Sequence, residues 1–254
     1  MKQISILGIN FNDFTIESIN GLVSQTIESS SKEVILNHNL HSIYLFHKNP
    51  EFKRFYDKQT HIHADGMPII LWARLLGYNV SAKNRITYVD WINPLLKLSD
   101  FKGYKIFYLG GKPNTGKKAI NVLEKEFSNI KFGTHHGYFN VESKEENQKI
   151  VNAINEFSPD ILLVGMGMPR QELWIDRNLN SVNANVILSS GACFDYISGE
   201  ARTPPRWLGN LGLEWLYRFI FEPNRLFKRY LIEPIYLIPY FFTDLISYAK
   251  IKKN

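Results

Sequence analysis

The amino-acid sequence predicts an α/β protein: a Rossmann-like, mainly parallel sheet with helices on both faces, followed by a helical, membrane-binding carboxy-terminal appendage. Three observations carry this expectation. Up to about residue 200, short β-rich runs alternate with stretches of helical period, the rhythm of β-α units that wind a parallel sheet. Most of the β-rich runs end in, or are directly followed by, Gly, Asp, Asn or Ser, as they are where a strand gives way to a ligand-bearing loop. After Gly199 the rhythm stops and cations mixed with aromatic residues take over.

Taken in order, a helical pattern over 15–28 is followed by a strand at 34–37 (Val-Ile-Leu-Asn) and a long helical pattern over 40–56. A strand at 61–64 leads into a helix at 67–76, and one at 105–109 into a helix at 115–127. Strands at 130–134, 160–165 and 185–189 are separated by helices at 143–157 and 169–179. The strand exits read Asn37-His38-Asn39, Asp65-Gly66, Gly110-Gly111, Gly165-Met166-Gly167 and Ser189-Ser190-Gly191. In a parallel sheet all of them meet on one rim, which is where ligands bind. The change at Gly199 sets the expected division: a catalytic core over 1–199 and an appendage over 200–254.

A chain of 254 residues, 44% hydrophobic and 21% charged, buries a large core and is not disordered. Residues 1–12 lack the pattern of a signal peptide, and the single cysteine, Cys193, forms no internal disulfide, which together predict a cytosolic protein. The net charge is +6, and residues 201–254 supply most of it, with nine Lys/Arg against four acids. The same segment carries twelve Trp, Tyr and Phe residues, a mixture suited to a bilayer interface. No stretch reaches the roughly 20 uninterrupted apolar residues that span a bilayer; the best, 231–249, contains Glu233, Pro234, Pro239 and Asp244. The appendage is therefore expected to lie on the membrane, peripherally. Leu, Ile and Phe packed between its charges favour lipid over nucleic acid, and off the membrane so much apolar surface predicts cover in a homo-oligomer.

Several motifs can carry chemistry. Asp65 ends a strand and precedes a helix; it is either a general base, ionised at neutral pH, or the N-cap of that helix, which is the commoner use of Asp there. His61, His63 and Asp65 alternate onto one strand face, yet no further ligand spacing supports a metal, so the histidines read as sheet packing. Gly111-Lys-Pro-Asn-Thr-Gly116-Lys117-Lys118 nearly matches a phosphate loop, but Lys118 replaces the hydroxyl that would hold magnesium. That leaves a P-loop-like phosphohydrolase as the alternative enzyme, and a peripheral membrane module as the non-enzymatic one. Pro169 suits a first helical turn, which would project Arg170 and Gln171, with Glu172 beside them, toward anionic or hydroxyl-bearing ligand groups. Arg218, Arg225 and Arg229, spaced by seven and four residues, share a face if helical and suggest a phosphate-facing surface.

Together Asp65-Gly66, the segment 108–113 (Tyr-Leu-Gly-Gly-Lys-Pro), the segment 164–172 (Val-Gly-Met-Gly-Met-Pro-Arg-Gln-Glu), Phe194-Asp195, Gly199, the segment 211–218 (Leu-Gly-Leu-Glu-Trp-Leu-Tyr-Arg) and the segment 222–226 (Glu-Pro-Asn-Arg-Leu) resemble the WecG/TagA/CpsF glycosyltransferase family over about residues 4–232. The resemblance implies a metal-independent, inverting bacterial enzyme without a cofactor. It would move a sugar from a UDP-sugar to a polyprenyl-diphosphate-linked saccharide at the cytoplasmic membrane face, for teichoic acid, enterobacterial common antigen, capsule or exopolysaccharide. It implies Asp65 as general base, Asn39, Arg85 and Gln171 as donor or acceptor ligands, and the Gly110-Gly111 and Gly165 to Gly167 turns as borders of the nucleotide. The arginines of the appendage would lie near the diphosphates. The family's usual Thr two residues before Asn39 is Asn37 here, and its Gly-Ser before the Asp is Tyr88-Val89 before Asp90. Asn37 and Asp90 thus border the expected sugar pocket, and the donor is open between N-acetylmannosamine and a hexose.

Overall fold

Apolar runs buried on both faces fit only a parallel sheet covered on each side, and the computed structural model has that architecture. It describes residues 1–210 and 212–251, with Asn210 and Ile251 described by their backbone alone. Leu211 of the Leu-Gly-Leu-Glu-Trp motif, and the appendage cations Lys252 and Lys253, lie outside the described residues. The strands are β1 (Gln3–Ile6), β2 (Ile9–Asn12), β3 (Glu33–His38), β4 (His61–Ala64), β5 (Lys105–Gly110), β6 (Lys131–His135), β7 (Ile161–Gly165) and β8 (Val186–Ser189). The first two pair as an antiparallel hairpin; the other six form one sheet in the order β4-β3-β8-β7-β5-β6, every pair parallel. Helices of the body are α1 (Ile16–Glu28), α2 (Leu40–Lys48), α3 (Pro50–Tyr56), α4 (Met67–Leu75), α5 (Tyr88–Lys102), α6 (Thr115–Leu123), α7 (Lys144–Phe157), α8 (Arg170–Asn178) and α9 (Cys193–Ile197). After α9 the elements among the described residues are all helical: α10 (Arg206–Asn210), α11 (Glu214–Phe221), α12 (Pro223–Phe227), a π-helical turn over Lys228–Ile232, and α13 (Glu233–Ile251).

Alternation along the strands divides the core in two. Leu36, Phe107, Leu109, Leu162, Val164 and Ile187 face the layer of α2, α3, α4 and α8, while Ile35, Ile106, Leu163 and Leu188 face α1, α5, α6 and α9. The chain winds from β3 to β4 toward one edge and from β5 to β6 toward the other, and β7 and β8 fill the centre. That reversal opens a crevice at the carboxyl ends of the central strands.

Four local outcomes differ from the sequence expectation. The helix expected over 40–56 is two, because Pro50 disfavours helical backbone at Asn49; Asn49 instead caps α3, its Oδ1 accepting from the N–H groups of Glu51 and Phe52 at 3.0 and 3.1 Å. The β1–β2 hairpin is additional. Its turn, Leu7-Gly8, takes positive φ at both residues, 51° and 71°, as a two-residue hairpin loop requires. Helix α5 is also additional; it is capped by Thr87 and carries Pro94 inside. Finally, Arg218, Arg225 and Arg229 do not share one helix face. Pro223 starts a new helix after α11, so the three occupy α11, α12 and the π-helical turn.

Helix α13 is apolar nearly all round, and one face is docked on the body. Leu237 is buried, Tyr240 stacks on His47 at 3.7 Å, and Phe241 meets Trp72 edge-on. Glu233 accepts from or pairs with His41 Nδ1 at 2.6 Å. Asp244 Oδ2 accepts from Leu7 N and Trp72 Nε1, both at 2.8 Å. Its two acids thus pin α13 to α2, α4 and the hairpin turn, and the tyrosines expected to meet lipid turn partly inward. Ile235, Ile238, Phe242 and Ile246 remain exposed on the outward face. Among the described residues no helix is long and apolar enough to cross a membrane.

Candidate active site

The crevice is a cavity of about 1200 Å³, lined by the loops after β3, β4, β5, β7 and β8 and roofed by the helices from α11 to the start of α13. Asp65, Asp195, Glu200, Glu214 and Glu222 line it, and Asp65 is the carboxylate at the exit of β4. The backbone N–H of Asp65 donates to His38 O at 2.7 Å, which fixes the residue at the rim between β3 and β4. The helix that follows does not use its side chain. Gly66, with φ 128°, occupies the N-cap position of α4 without a side-chain cap, so the capping role considered for Asp65 is replaced by a conformation that only glycine adopts readily. Asp65 Oδ2 instead accepts from Asn39 Nδ2 at 3.3 Å. Asn39 is itself held by capping α2, its Oδ1 accepting from Ser42 N at 3.0 Å, which leaves the amide nitrogen to face Asp65. Burial raises the pKa of Asp65; the Asn39 hydrogen bond opposes this, Glu214 adds to it, and the positive charges of Arg229 and Arg218 offset it.

Glycines bring the loops together. A Cβ on Gly110 would collide with the Gly165 carbonyl, and one on Gly165 would come within 2.6 Å of Gly191 O. Gly111 N donates to Gly165 O at 3.2 Å, and Gly137 N to Gly111 O at 2.9 Å. Gln171 completes this layer. Its Oε1 accepts from Gly167 N and Gly191 N at 3.1 and 3.2 Å, and its Nε2 donates to Glu172 Oε1 at 2.7 Å. Glu172 lies behind it, fully buried, and burial pushes its pKa up to about 7. Arg170 lines the cavity while Nη2 donates to the carbonyls of Gly137 and Phe139, so it also holds the loop after β6.

Arg85, which precedes α5 and is bridged to Ala64 at the end of β4, lines the cavity with its guanidinium between Asp90 Oδ2 at 2.9 Å and Glu214 Oε2 at 3.1 Å. Arg206 bridges the same two carboxylates. Neither Glu214 nor Arg206 stood out as a site residue in the sequence; Glu214 was visible only as part of a motif. Arg218, Arg225 and Arg229 all line the cavity opposite the strand exits, although Arg225 also pairs with Glu222. His61 and His63 belong to packing: His63 is buried edge-on to Trp91 at 5.6 Å, and His61 lies 3.4 Å from Glu33. Among the described residues no three His, Cys, Asp or Glu side chains are grouped to hold a metal ion. The near-phosphate loop does not form a Walker cradle. Lys117 is exposed outside the cavity lining, and Lys118 and Thr115 are both engaged by Glu200, at 3.1 and 2.8 Å.

Residues 4–251 match the model of the glycosyl transferase WecG/TagA/CpsF family. The chain belongs to this family. The enzyme is similar to proteins of Staphylococcus aureus named N-acetylglucosaminyldiphosphoundecaprenol N-acetyl-beta-D-mannosaminyltransferase, among them those of strains MRSA252 and NCTC 8325 / PS 47. Each is 26% identical over 234 residues, which is 88% of this chain and 87% of the relative. This glycosyltransferase therefore combines a Rossmann-like sheet, a cavity at its carboxyl rim that Asp65 lines, and Arg218, Arg225 and Arg229 supplied from beyond the sheet.

Proposed function

We propose that the enzyme transfers a sugar from a UDP-sugar to a polyprenyl-diphosphate-linked N-acetylglucosamine, with inversion and without a metal ion, in the assembly of teichoic acid or a related surface polysaccharide. The observation that carries this reading is the position of Asp65 in a cavity opposite Arg218, Arg225 and Arg229. A raised pKa suits a general base. Asp65 takes the proton of the acceptor hydroxyl as that oxygen bonds to the anomeric carbon, and the bond to UDP breaks on the opposite side. Arginines meet phosphate oxygens in bidentate fashion, so the three can offset the charge of the diphosphates that other transferases assign to a metal. The glycine-layered loops after β5 and β7 allow a nucleotide to approach backbone closely. The lining residues from Glu200 to Pro234 complete the cavity, and the outward face of α13 rests on the cytoplasmic surface of the membrane, which presents the lipid-linked acceptor.

The test is transfer from a panel of UDP-sugars to a polyprenyl-diphosphate N-acetylglucosamine, in EDTA, followed by mass spectrometry of the lipid product. Transfer that persists in EDTA and disappears in Asp65→Asn is expected. Loss of all transfer in EDTA, or full activity in the variant, overturns the mechanism.

A further inference from the structure

Three buried polar atoms of residues that line the cavity have no protein partner: Asn37 Oδ1, Ser190 Oγ and the hydroxyl of Tyr88. Their residues are buried, 4%, 2% and 9% exposed, and all three line the cavity. Buried polar groups without partners are uncommon, because each forfeits its hydrogen bonds to water on folding. The amide of Asn37 is not free to turn away. Asn37 Nδ2 donates to Ser189 O at 3.1 Å, and a carbonyl only accepts, so the amide orientation is set and Oδ1 is left over. The backbone of Asn37 is also held, its carbonyl accepting from Tyr56 OH at 2.9 Å. Ser190 N donates to Val164 O at 2.8 Å. Tyr88 packs against Trp91 at 5.3 Å and His63 at 6.3 Å.

We propose that these three groups form a recognition subsite for the hydroxyl-bearing face of one pyranose ring, whose occupant donates a hydrogen to Asn37 Oδ1. A carbonyl oxygen accepts only, whereas Ser190 and Tyr88 can donate or accept; the set therefore fits ring hydroxyls or an amide N–H, and rejects a methyl or a deoxy carbon. The inference rests on the glycosyl-transfer reading and adds the residues that choose the sugar. The ring comes either from the nucleotide or from the lipid diphosphate, since both substrates carry a pyranose.

The experiment uses the full chain and the variants Asn37→Leu, Ser190→Ala and Tyr88→Phe. The last two remove a hydroxyl with no protein partner and so leave folding intact, whatever Asn37→Leu does. In the donor arm, kcat/KM is measured for UDP-glucose, UDP-galactose, UDP-N-acetylglucosamine and UDP-N-acetylmannosamine at a fixed acceptor. In the acceptor arm, lipid-linked N-acetylglucosamine is compared with its epimer at a fixed donor. UDP affinity is followed by calorimetry and is expected to stay unchanged. The ratio between preferred and second sugar should fall at least about tenfold in Ser190→Ala or Tyr88→Phe. A fall in the donor arm assigns the ring to the nucleotide sugar, and a fall in the acceptor arm to the lipid sugar. Unchanged ratios in both arms overturn the subsite while the transferase reading stands; no transfer by the wild-type chain from any donor overturns both.

Discussion

The guanidinium of Arg85 lies 3.1 Å from Glu214, joining the segment bridged to the end of β4 to the first turn of α11. Asp90 and Arg206 close the contact into a ring of alternating charge, so the segment that roofs the cavity is latched to the sheet beside Asp65. The two arginines differ in burial: the side chain of Arg85 is 6% exposed and that of Arg206 is 42% exposed. Removing Arg85 takes the buried one of the two cations from carboxylates that Arg206 still bridges, and Arg85→Met is expected to lower stability by roughly 1–3 kcal/mol. Arg206→Ala should cost at most about 1 kcal/mol. Urea unfolding of both variants checks the order, and equal losses would show that the ring does not act as a buried latch.

Asp65 accepts from Asn39 and caps nothing, so its loss should leave the fold intact and remove the chemistry. Asp65→Asn is expected to reduce transfer at least about 100-fold with UDP affinity unchanged. Its folded pKa is raised, so the folded chain holds this proton above the ordinary carboxylate range, and the stability the group contributes in acid is lost as pH rises through the folded value. The variant should accordingly be no less stable than the wild type at neutral pH. A marked loss of stability there would return Asp65 to a structural role.

Much of this arrangement was legible in the sequence, for reasons that also explain what was not. Val-Ile-Leu at 34–36 and Ile-Leu-Leu-Val at 161–164 read as strands because sites buried on both faces admit only apolar residues, and the six-stranded sheet follows from them. The hairpin was hidden because Ile-Leu-Gly-Ile around Leu7 and Gly8 lacks the polar residues that usually mark a turn; Leu7 adopts positive φ because Asp244 and His47 hold its backbone. The help from His47 comes from 40 residues away and that from Asp244 from 237. Likewise the capping alternative for Asp65 falls to the backbone of Gly66, and the spacing of the three arginines could not reveal that Pro223 divides their helix. They converge on the cavity through the tertiary path of the chain.

Glu172 gives the site a second pH signature. It is buried behind Gln171, and its pKa is raised from the ordinary 4.5 to about 7. Between those values the folded chain holds a proton that the unfolded chain has released, so the stability this group contributes is present in acid and lost as pH rises through about 7. Glu172→Gln removes that dependence while keeping an acceptor for Gln171 Nε2. The difference in unfolding free energy between wild type and variant should therefore change with pH, favouring the variant above pH 7 by an amount on the order of a few kcal/mol. Denaturant titrations from about pH 5 to 8 measure it. A difference that stays flat across this range would mean that Glu172 is ionised throughout.

The two faces of α13 separate attachment to the body from attachment to a surface. Asp244 accepts two hydrogen bonds, from Leu7 N and Trp72 Nε1, and Asp244→Ala leaves both donors without their partner, at a cost of about 1–3 kcal/mol each. Phe242 and Ile246 face outward and are exposed, so Phe242→Ser and Ile246→Ser remove little packing within the chain. Each large apolar side chain is worth roughly 1.5–3 kcal/mol when buried, and the pair should therefore weaken binding to anionic phospholipid vesicles by at least tenfold while the unfolding midpoint stays in place. Asp244→Ala should do the reverse at first, lowering the midpoint through the loss of two anchors. Arg218→Ala supplies the third comparison, because Arg218 lines the cavity and should impair transfer with vesicle binding retained. Vesicle co-sedimentation, thermal unfolding and transfer measured on the same four variants resolve the three roles. If Arg218→Ala loses vesicle binding and the serine variants keep it, the membrane meets the arginines rather than α13.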